Sequence, residues 1–126
     1  MEKSRTNIFL EMIDLFRKLD VKTSMNYYAD DAVYRYGSFP PVVGKDAIEA
    51  MANSSHLDFI EKMDFNVLKT WEFEDTVIAQ MELPHWLKDG RNLVIPCVDV
   101  VKFSQDGKVK EFFVYIDSSP LFQNQH

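Results

Sequence analysis

Two Asp-Gly pairs, Asp89-Gly90 and Asp106-Gly107, fall between long runs rich in Val, Ile and aromatic residues. That dipeptide between apolar, β-prone runs is the strongest short-range hairpin signal, because both residues tolerate positive φ. With a shorter break at Glu74-Asp75, it divides the second half of the chain into four strands. They are predicted over Met63–Phe73, Thr76–Leu87, Arg91–Phe103 and Lys108–Asp117. The first third has a different period. Ile8, Leu10, Met12, Ile13, Leu15, Phe16 and Leu19 recur near three- and four-residue spacing, which predicts a helix over Asn7–Leu19 capped by Thr6 or Asn7. A second short helix is predicted over Thr23–Ala29, with Thr23 or Ser24 as cap. "AVYRYG" reads as a short strand ended by Gly37, "SFPPVVG" as a rigid loop, and Lys45–Ser54 as a third helix. Helices followed by an antiparallel meander predict an α+β fold, with about three helices covering the concave face of a curved sheet. At 126 residues the chain is read as one domain, 1–126.

The turns translate into a register. If Asp89-Gly90 is a two-residue loop, Lys88 pairs with Arg91, so Gln80 faces Asp99, Glu82 faces Cys97 and Ile78 faces Val101. A tight loop at Asp106-Gly107 sets Asp99 opposite Val114, Cys97 opposite Ile116 and Val101 opposite Phe112. The turn at Glu74-Asp75 adds Trp71 beside Ile78. One helix-covered face then holds Gln80, Glu82 and Asp99 among Trp71, Ile78, Ile95, Cys97, Val101, Phe112, Val114 and Ile116. The other face receives Ala79, Met81, Leu83, Val98, Val100, Phe113 and Tyr115, with His85 as a structural histidine. A slip of one residue at any turn would invert a strand. Both faces are largely apolar and one set of helices can cover only one of them. The outer face is therefore expected to form a symmetric homodimer, the alternative being an apolar sheet face left exposed.

Asp99 stands among Val98, Val100 and Val101, where a strand should bury hydrocarbon. A carboxylate there costs several kcal/mol unless it stays protonated or finds donors. Beside a second acid the two should ionise unequally, one donating a proton while the other accepts. Asp99 and Glu82 are thus the leading acid–base candidates, in an apolar pocket suited to a small, mostly apolar molecule. The alternative is that Glu82 sits in water at the mouth and Asp99 satisfies a buried tyrosine or amide. Tyr34 and Tyr36 flank Arg35, so both tyrosines share a side and could reach a pocket ligand, or simply pack. Tyr27 and Tyr28 read as packing residues.

Composition narrows the partners. A net charge of −6 without a Lys/Arg cluster argues against nucleic acid. The single cysteine, Cys97, excludes an internal disulfide and reads as an inert buried thiol. His85, His56 and His126 have no metal-ligand spacing, and there is no phosphate loop or nucleophile elbow, so neither metal nor cofactor is expected. No segment approaches the ~18 apolar residues of a membrane span and the start lacks a signal-type apolar core; a cytoplasmic protein without membrane contact is the default.

"YYADDAVYRYGSFPPVVGKDAIEAM" and "DGRNLVIPCVDVVKFSQDGKVKEFFVYIDSSPLF" together resemble the nuclear transport factor 2-like superfamily, nearest its SnoaL-like branch. The resemblance spans roughly residues 7–122 and implies a cone-shaped α+β barrel, an apolar pocket closed by helices, and a dimer through the outer sheet. Its members include ketosteroid isomerases, polyketide cyclases, an epoxide hydrolase and dehydratases, beside noncatalytic association domains. By that resemblance Asp99 matches the protonated acid of the isomerase oxyanion hole, whereas the isomerase base falls near Tyr36 and its tyrosine near Met12. Against the epoxide hydrolase, Glu82 stands where an aspartate would, Gln80 replaces an arginine and Val114 a second aspartate. Asp117, in "YIDSSPLF", resembles a frequent acid at the end of the last strand, or else caps a turn before Pro120. Two functions follow. One is cofactor-free isomerisation, cyclisation or hydration, with Asp99 as neutral acid, Glu82 or Asp117 as base and Tyr36 as donor. Ligand contacts would then come from Gln80, Trp71, Tyr34, Cys97, Phe112, Val114, Ile116 and Met12. The other is a ligand-binding or association module without turnover.

Overall fold

The computed structural model describes residues 4–54 and 59–122. The readings of His56 and His126 lie outside the described residues. Helix α1 spans Arg5–Arg17, two residues earlier than predicted. Its cap is Ser4 rather than Thr6 or Asn7, because the Ser4 hydroxyl accepts from the Asn7 amide at 3.1 Å. Phe9, Met12 and Ile13 form its buried stripe. Helix α2 is only Val21–Ser24, capped by the Asp20 carboxylate, and continues as a 3-10 turn over Met25–Tyr27. Strand β1 then starts at Tyr28 and runs to Tyr36, replacing the end of the predicted second helix. Val42–Val43 form a short β2 inside the predicted loop, and α3 is Lys45–Ser54 as read from sequence.

The predicted strand over Met63–Phe73 is two strands, β3 (Ile60–Met63) and β4 (Asn66–Phe73). Asp64 breaks the run. Its carboxylate accepts from the Phe65 amide at 2.7 Å and pairs with Arg17 of α1 at 2.9 Å, tying the corner to the helix. β5 (Thr76–Leu87), β6 (Asn92–Phe103) and β7 (Val109–Ile116) follow. A last 3-10 turn covers Ser119–Phe122. The strands pair in the order β2-β1-β7-β6-β5-β3, with β4 also on β5; β1 lies parallel to β7 and the other pairs are antiparallel. The fold is the expected α+β arrangement, helices on one face of a curled, mostly antiparallel sheet.

The register differs from the sequence expectation at one hairpin. Ala79, not Gln80, pairs with Asp99; Met81, not Glu82, pairs with Cys97; and Val77, not Ile78, pairs with Val101. The cause is the loop. Leu87 donates to the Arg91 carbonyl at 2.9 Å, and Gly90, at φ +93°, donates to the Leu87 carbonyl at 3.0 Å. Lys88-Asp89-Gly90 is thus a three-residue connection ending in a left-handed glycine, rather than a two-residue turn. One extra residue inverts β5 relative to β6. The β6–β7 pairs are as predicted, Asp99 with Val114, Cys97 with Ile116 and Val101 with Phe112, and Trp71 does lie beside Ile78.

Strand β5 alternates strictly. Val77, Ala79, Met81, Leu83, His85 and Leu87 are buried, and the residues between them are not. Placing Ala79, Met81, Leu83 and His85 on the outer face is therefore corrected: all four point to the core. His85 is 3 % exposed, and its Nδ1 lies 2.8 Å from the Leu83 carbonyl, which fixes that nitrogen as the donor. The main core joins α1, β1 and the inner faces of β5–β7 through Phe9, Met12, Ile13, Met81, Val101 and Phe112. A smaller cluster of Leu87, Ile95 and Leu121 closes one end, and Ile116 packs against both.

Candidate functional site

Asp99 points inward because Ile95, Cys97, Asp99, Val101 and Phe103 occupy alternate positions of β6 on its buried face. It is 3 % exposed, flanked across the sheet by Ala79 on β5 and Val114 on β7. Among the described residues one hydrogen bond reaches its carboxylate, from the Cys97 thiol two residues earlier, at 3.4 Å. A thiol is a weak donor and solvates a negative charge poorly. Burial accordingly pushes the Asp99 carboxyl up to about 7, with the Cys97 hydrogen bond pulling the other way. Near neutral pH it lies between its two protonation states, where one group can both take and return a proton.

Its surroundings are phenolic and aromatic. Tyr28 is buried on β1, and burial followed by the Asp99 charge raises its hydroxyl pKa. Tyr34 is raised by burial first, then by Tyr28, Asp99, Tyr36 and Cys97. Tyr36 is raised by burial, then by Cys97, with Asp99 contributing less and a Ser118 hydrogen bond opposing. All three phenols remain protonated donors at any physiological pH. The Cys97 thiol is likewise raised by burial and by Asp99, so it is a poor nucleophile. Phe112 stacks on Tyr34 at 5.5 Å between ring centroids and on Phe9 at 6.2 Å. Asp99, Cys97, Tyr28, Tyr34, Tyr36, Phe112, Val114 and Ile116 are brought together, with Met12 fully buried in the core that covers them.

Four residues expected at the site are not. Glu82 pairs with Pro96 and Asn66, and lies between the buried Met81 and Leu83, so it faces outward. Gln80 and Trp71 are exposed on the same outer face. The three-residue hairpin loop explains Glu82 and Gln80; Trp71 follows because its partner Ile78 turns outward with them. Asp117 is exposed, and its carboxylate accepts from the Ser119 amide at 3.0 Å, which lowers its pKa. It caps the turn ahead of Pro120. Among the described residues no second carboxylate stands beside Asp99. Sequence reading missed Tyr28, taken as packing at a helix end, and Ala79, assigned to the wrong face; the even spacing of Tyr28, Tyr34 and Tyr36 was the available signal.

Two clefts, of about 370 and 440 Å³, open at the surface, one by Asp30 and the start of α3, the other between α1 and the β6–β7 turn. Asp99 lines neither. Among the described residues no cluster of three His, Cys, Asp or Glu side chains could hold a metal, and no helix is long and apolar enough to cross a membrane.

The outer sheet face is an apolar surface. Trp71, Ile78, Val100 and Phe113 form one row across four strands, with Val98 and Tyr115 in the next. Trp71 is 43 % exposed and Tyr115 58 %.

Comparison with solved structures agrees on the architecture. A nuclear transport factor 2-like protein of unknown function from Burkholderia pseudomallei superposes with a TM-score of 0.81 at 15 % identity, covering 96 % of each chain. A Shewanella denitrificans protein named for a SnoaL-like polyketide cyclase gives 0.79 at 19 % identity, covering 94 % of this chain and 93 % of that one. A Catenulispora acidiphila protein with a ketosteroid isomerase-like fold, solved with trimethylamine, gives 0.76 at 13 % identity over 89 % and 86 %. At such identities the likeness speaks for the fold alone. No curated protein matches the chain. Residues 9–112, most of the sequence and including β1, β5, β6 and the inward Asp99, match the SnoaL-like domain, and the chain belongs to that family.

Proposed function

We propose that this SnoaL-like protein binds a small, mostly apolar molecule against Asp99 and moves a proton on it without a cofactor, as in isomerisation or intramolecular cyclisation. One observation carries the reading: a carboxyl buried among phenols and hydrocarbon, held near 7 by desolvation. With no second carboxylate beside it among the described residues, the chemistry is that of one group. Ionised Asp99 takes a proton from a carbon next to a carbonyl. The protonated acid then returns it to another carbon of the same enolate, while a phenol such as Tyr36 donates to the oxygen. Isomerisation and aldol-type cyclisation are proton-neutral overall and suit this shuttle; hydration, which needs a separately activated water, fits less well. The name of the Shewanella protein, a polyketide cyclase, is consistent with this class.

The outer face supports a homodimer. The row from Trp71 to Phe113 is a contiguous apolar surface of the kind that rarely faces water. A second reading, a ligand-binding or association module without turnover, is favoured by Glu82 facing outward and Asp117 being engaged at its turn. Exchange of the α-proton of a small β,γ-unsaturated ketone in D2O, followed by NMR, separates the two. The shuttle requires catalysed exchange with a pH inflection well above ~4, abolished in Asp99→Asn. Ligand affinity equal in wild type and Asp99→Asn, with no exchange, establishes the binding module.

A further inference from the structure

The cleft of about 440 Å³ between α1 and the β6–β7 turn is separate from Asp99, which does not line it. From α1 it is lined by Arg5, Ile8 and Glu11. Spaced three apart, these residues form one slanting ridge of the helix. At about 1.5 Å of rise per residue, the ends of the ridge stand ~9 Å apart along the axis. A cation, a hydrocarbon and a carboxylate thus follow one another along one wall. We propose that the cleft binds a small zwitterion, with a carboxylate at one end, a short hydrocarbon middle and an ammonium at the other. Its carboxylate lies against Arg5, its middle on Ile8 and its ammonium against Glu11.

Both ends of the ridge are held in place by the protein. Arg5 donates from Nη2 to the Ser104 carbonyl at 3.0 Å, and its guanidinium carbon stands 5.8 Å from the centre of the Phe103 ring. Its Nε is buried with no acceptor among the described residues. A charged group with an orphaned donor is costly to keep, and an anion against the same guanidinium offsets that cost. Arg5 is also the first residue of α1, whose first turn carries no acid, so the partial positive charge of the helix end adds to its own. Glu72 feels the Arg5 charge but accepts from the Thr6 amide at 2.9 Å and the Thr6 hydroxyl at 2.6 Å. At the other end the Tyr27 hydroxyl donates to Glu11 at 2.9 Å. A carboxylate has about four acceptor sites, so an ammonium can join the phenol there. The other charges of the cleft serve the turn: Lys108 donates to the Asn26 carbonyl at 2.7 Å, and Asp106 accepts from the Ser104 hydroxyl and the Lys108 amide. Arg5 and Lys108 thus balance Glu11 and Asp106, which suits a ligand of no net charge better than a phosphate dianion.

The experiment is titration of the full chain with 6-aminohexanoate at neutral pH and low ionic strength, followed by NMR at the Arg5 Nε–H and the Gly107 amide. Hexanoate and hexylamine, which keep the chain and one charge each, are titrated beside it. Both signals should shift saturably with 6-aminohexanoate, at an affinity about tenfold or more above that of either singly charged probe, because the second contact is made within the same molecule. Arg5→Gln should lower that affinity about tenfold, to the level of hexylamine, and Glu11→Gln should lower it to the level of hexanoate. Arg35→Gln, a change at an exposed position paired with Phe113, should leave it unaltered. Should Arg5→Gln fail to fold, the comparison of the three probes on the unaltered chain decides alone. Equal affinity for all three probes, undiminished binding in folded Arg5→Gln, or tighter binding of inorganic phosphate than of 6-aminohexanoate overturns the proposal.

Discussion

Asp99→Asn should make the protein more stable at pH 8 and leave it nearly unchanged at pH 4. The folded protein holds the Asp99 proton up to about 7, against 3.8 for the unfolded chain. Between those values folding takes up a proton. The stability associated with the neutral acid is fully present below ~4, falls as pH rises towards 7, and levels off above it. At about 1.36 kcal/mol per tenfold, the gap is worth about 4 kcal/mol, a large share of a small domain's stability. Asparagine keeps the shape and a buried polar group but cannot ionise, so below pH 4 the two proteins should agree within about 1 kcal/mol. Urea unfolding of both at half-unit steps from pH 4 to 8.5 measures the difference directly, and every other titrating group cancels in it. Parallel stability curves would refute the reasoning, since they require Asp99 to ionise alike in folded and unfolded chains. A variant that loses stability at pH 8 would instead show the charged carboxylate to be satisfying buried donors.

Other consequences follow from the same geometry. His85 is held neutral by burial, which lowers its pKa, so it favours the folded state above ~6.5 and loses that as pH falls through its folded pKa; His85→Gln should flatten the acid side of the stability profile in urea titrations between pH 5 and 6.5. Cys97→Ala removes the donor to Asp99 and should move its titration above about 7, whereas Cys97→Ser, with a better donor, should move it lower; carboxyl NMR titration reads both. Val100 sits mid-row on the outer face between Ile78 and Phe113, so Val100→Lys should halve the mass in analytical ultracentrifugation if the wild type is a dimer, without altering Asp99.

Most of the fold was legible because its signals are local and periodic. Helix α3 and strand β5 were read to the residue from apolar spacing and flanking turns. The start of β1 was not, since Tyr28 gains its strand identity from parallel pairing with β7, which no nearby residue announces. The site turned on the length of one loop. Asp-Gly fits both two- and three-residue hairpins, and the choice between them inverts a face. The β6–β7 connection contains the same three-residue geometry, with Ser104 donating to the Lys108 carbonyl at 2.7 Å. There a register shift between Lys102 and Phe103 restores the tight-loop pairing, so Asp99 met Val114 as expected. No such shift interrupts β5–β6, and Glu82 and Gln80 went outward. Asp99 itself was visible from one line of reasoning that needed no loop: a charge set among β-branched residues in a central strand.

That buried acid is best tested by the Asp99 carboxyl carbon resonance, assigned by comparison with Asp99→Asn and followed by 13C NMR from pH 3 to 9. The inflection should fall near 7, as burial of the group with a single weak donor requires. An inflection near the 3.8 of an ordinary aspartate would contradict the account.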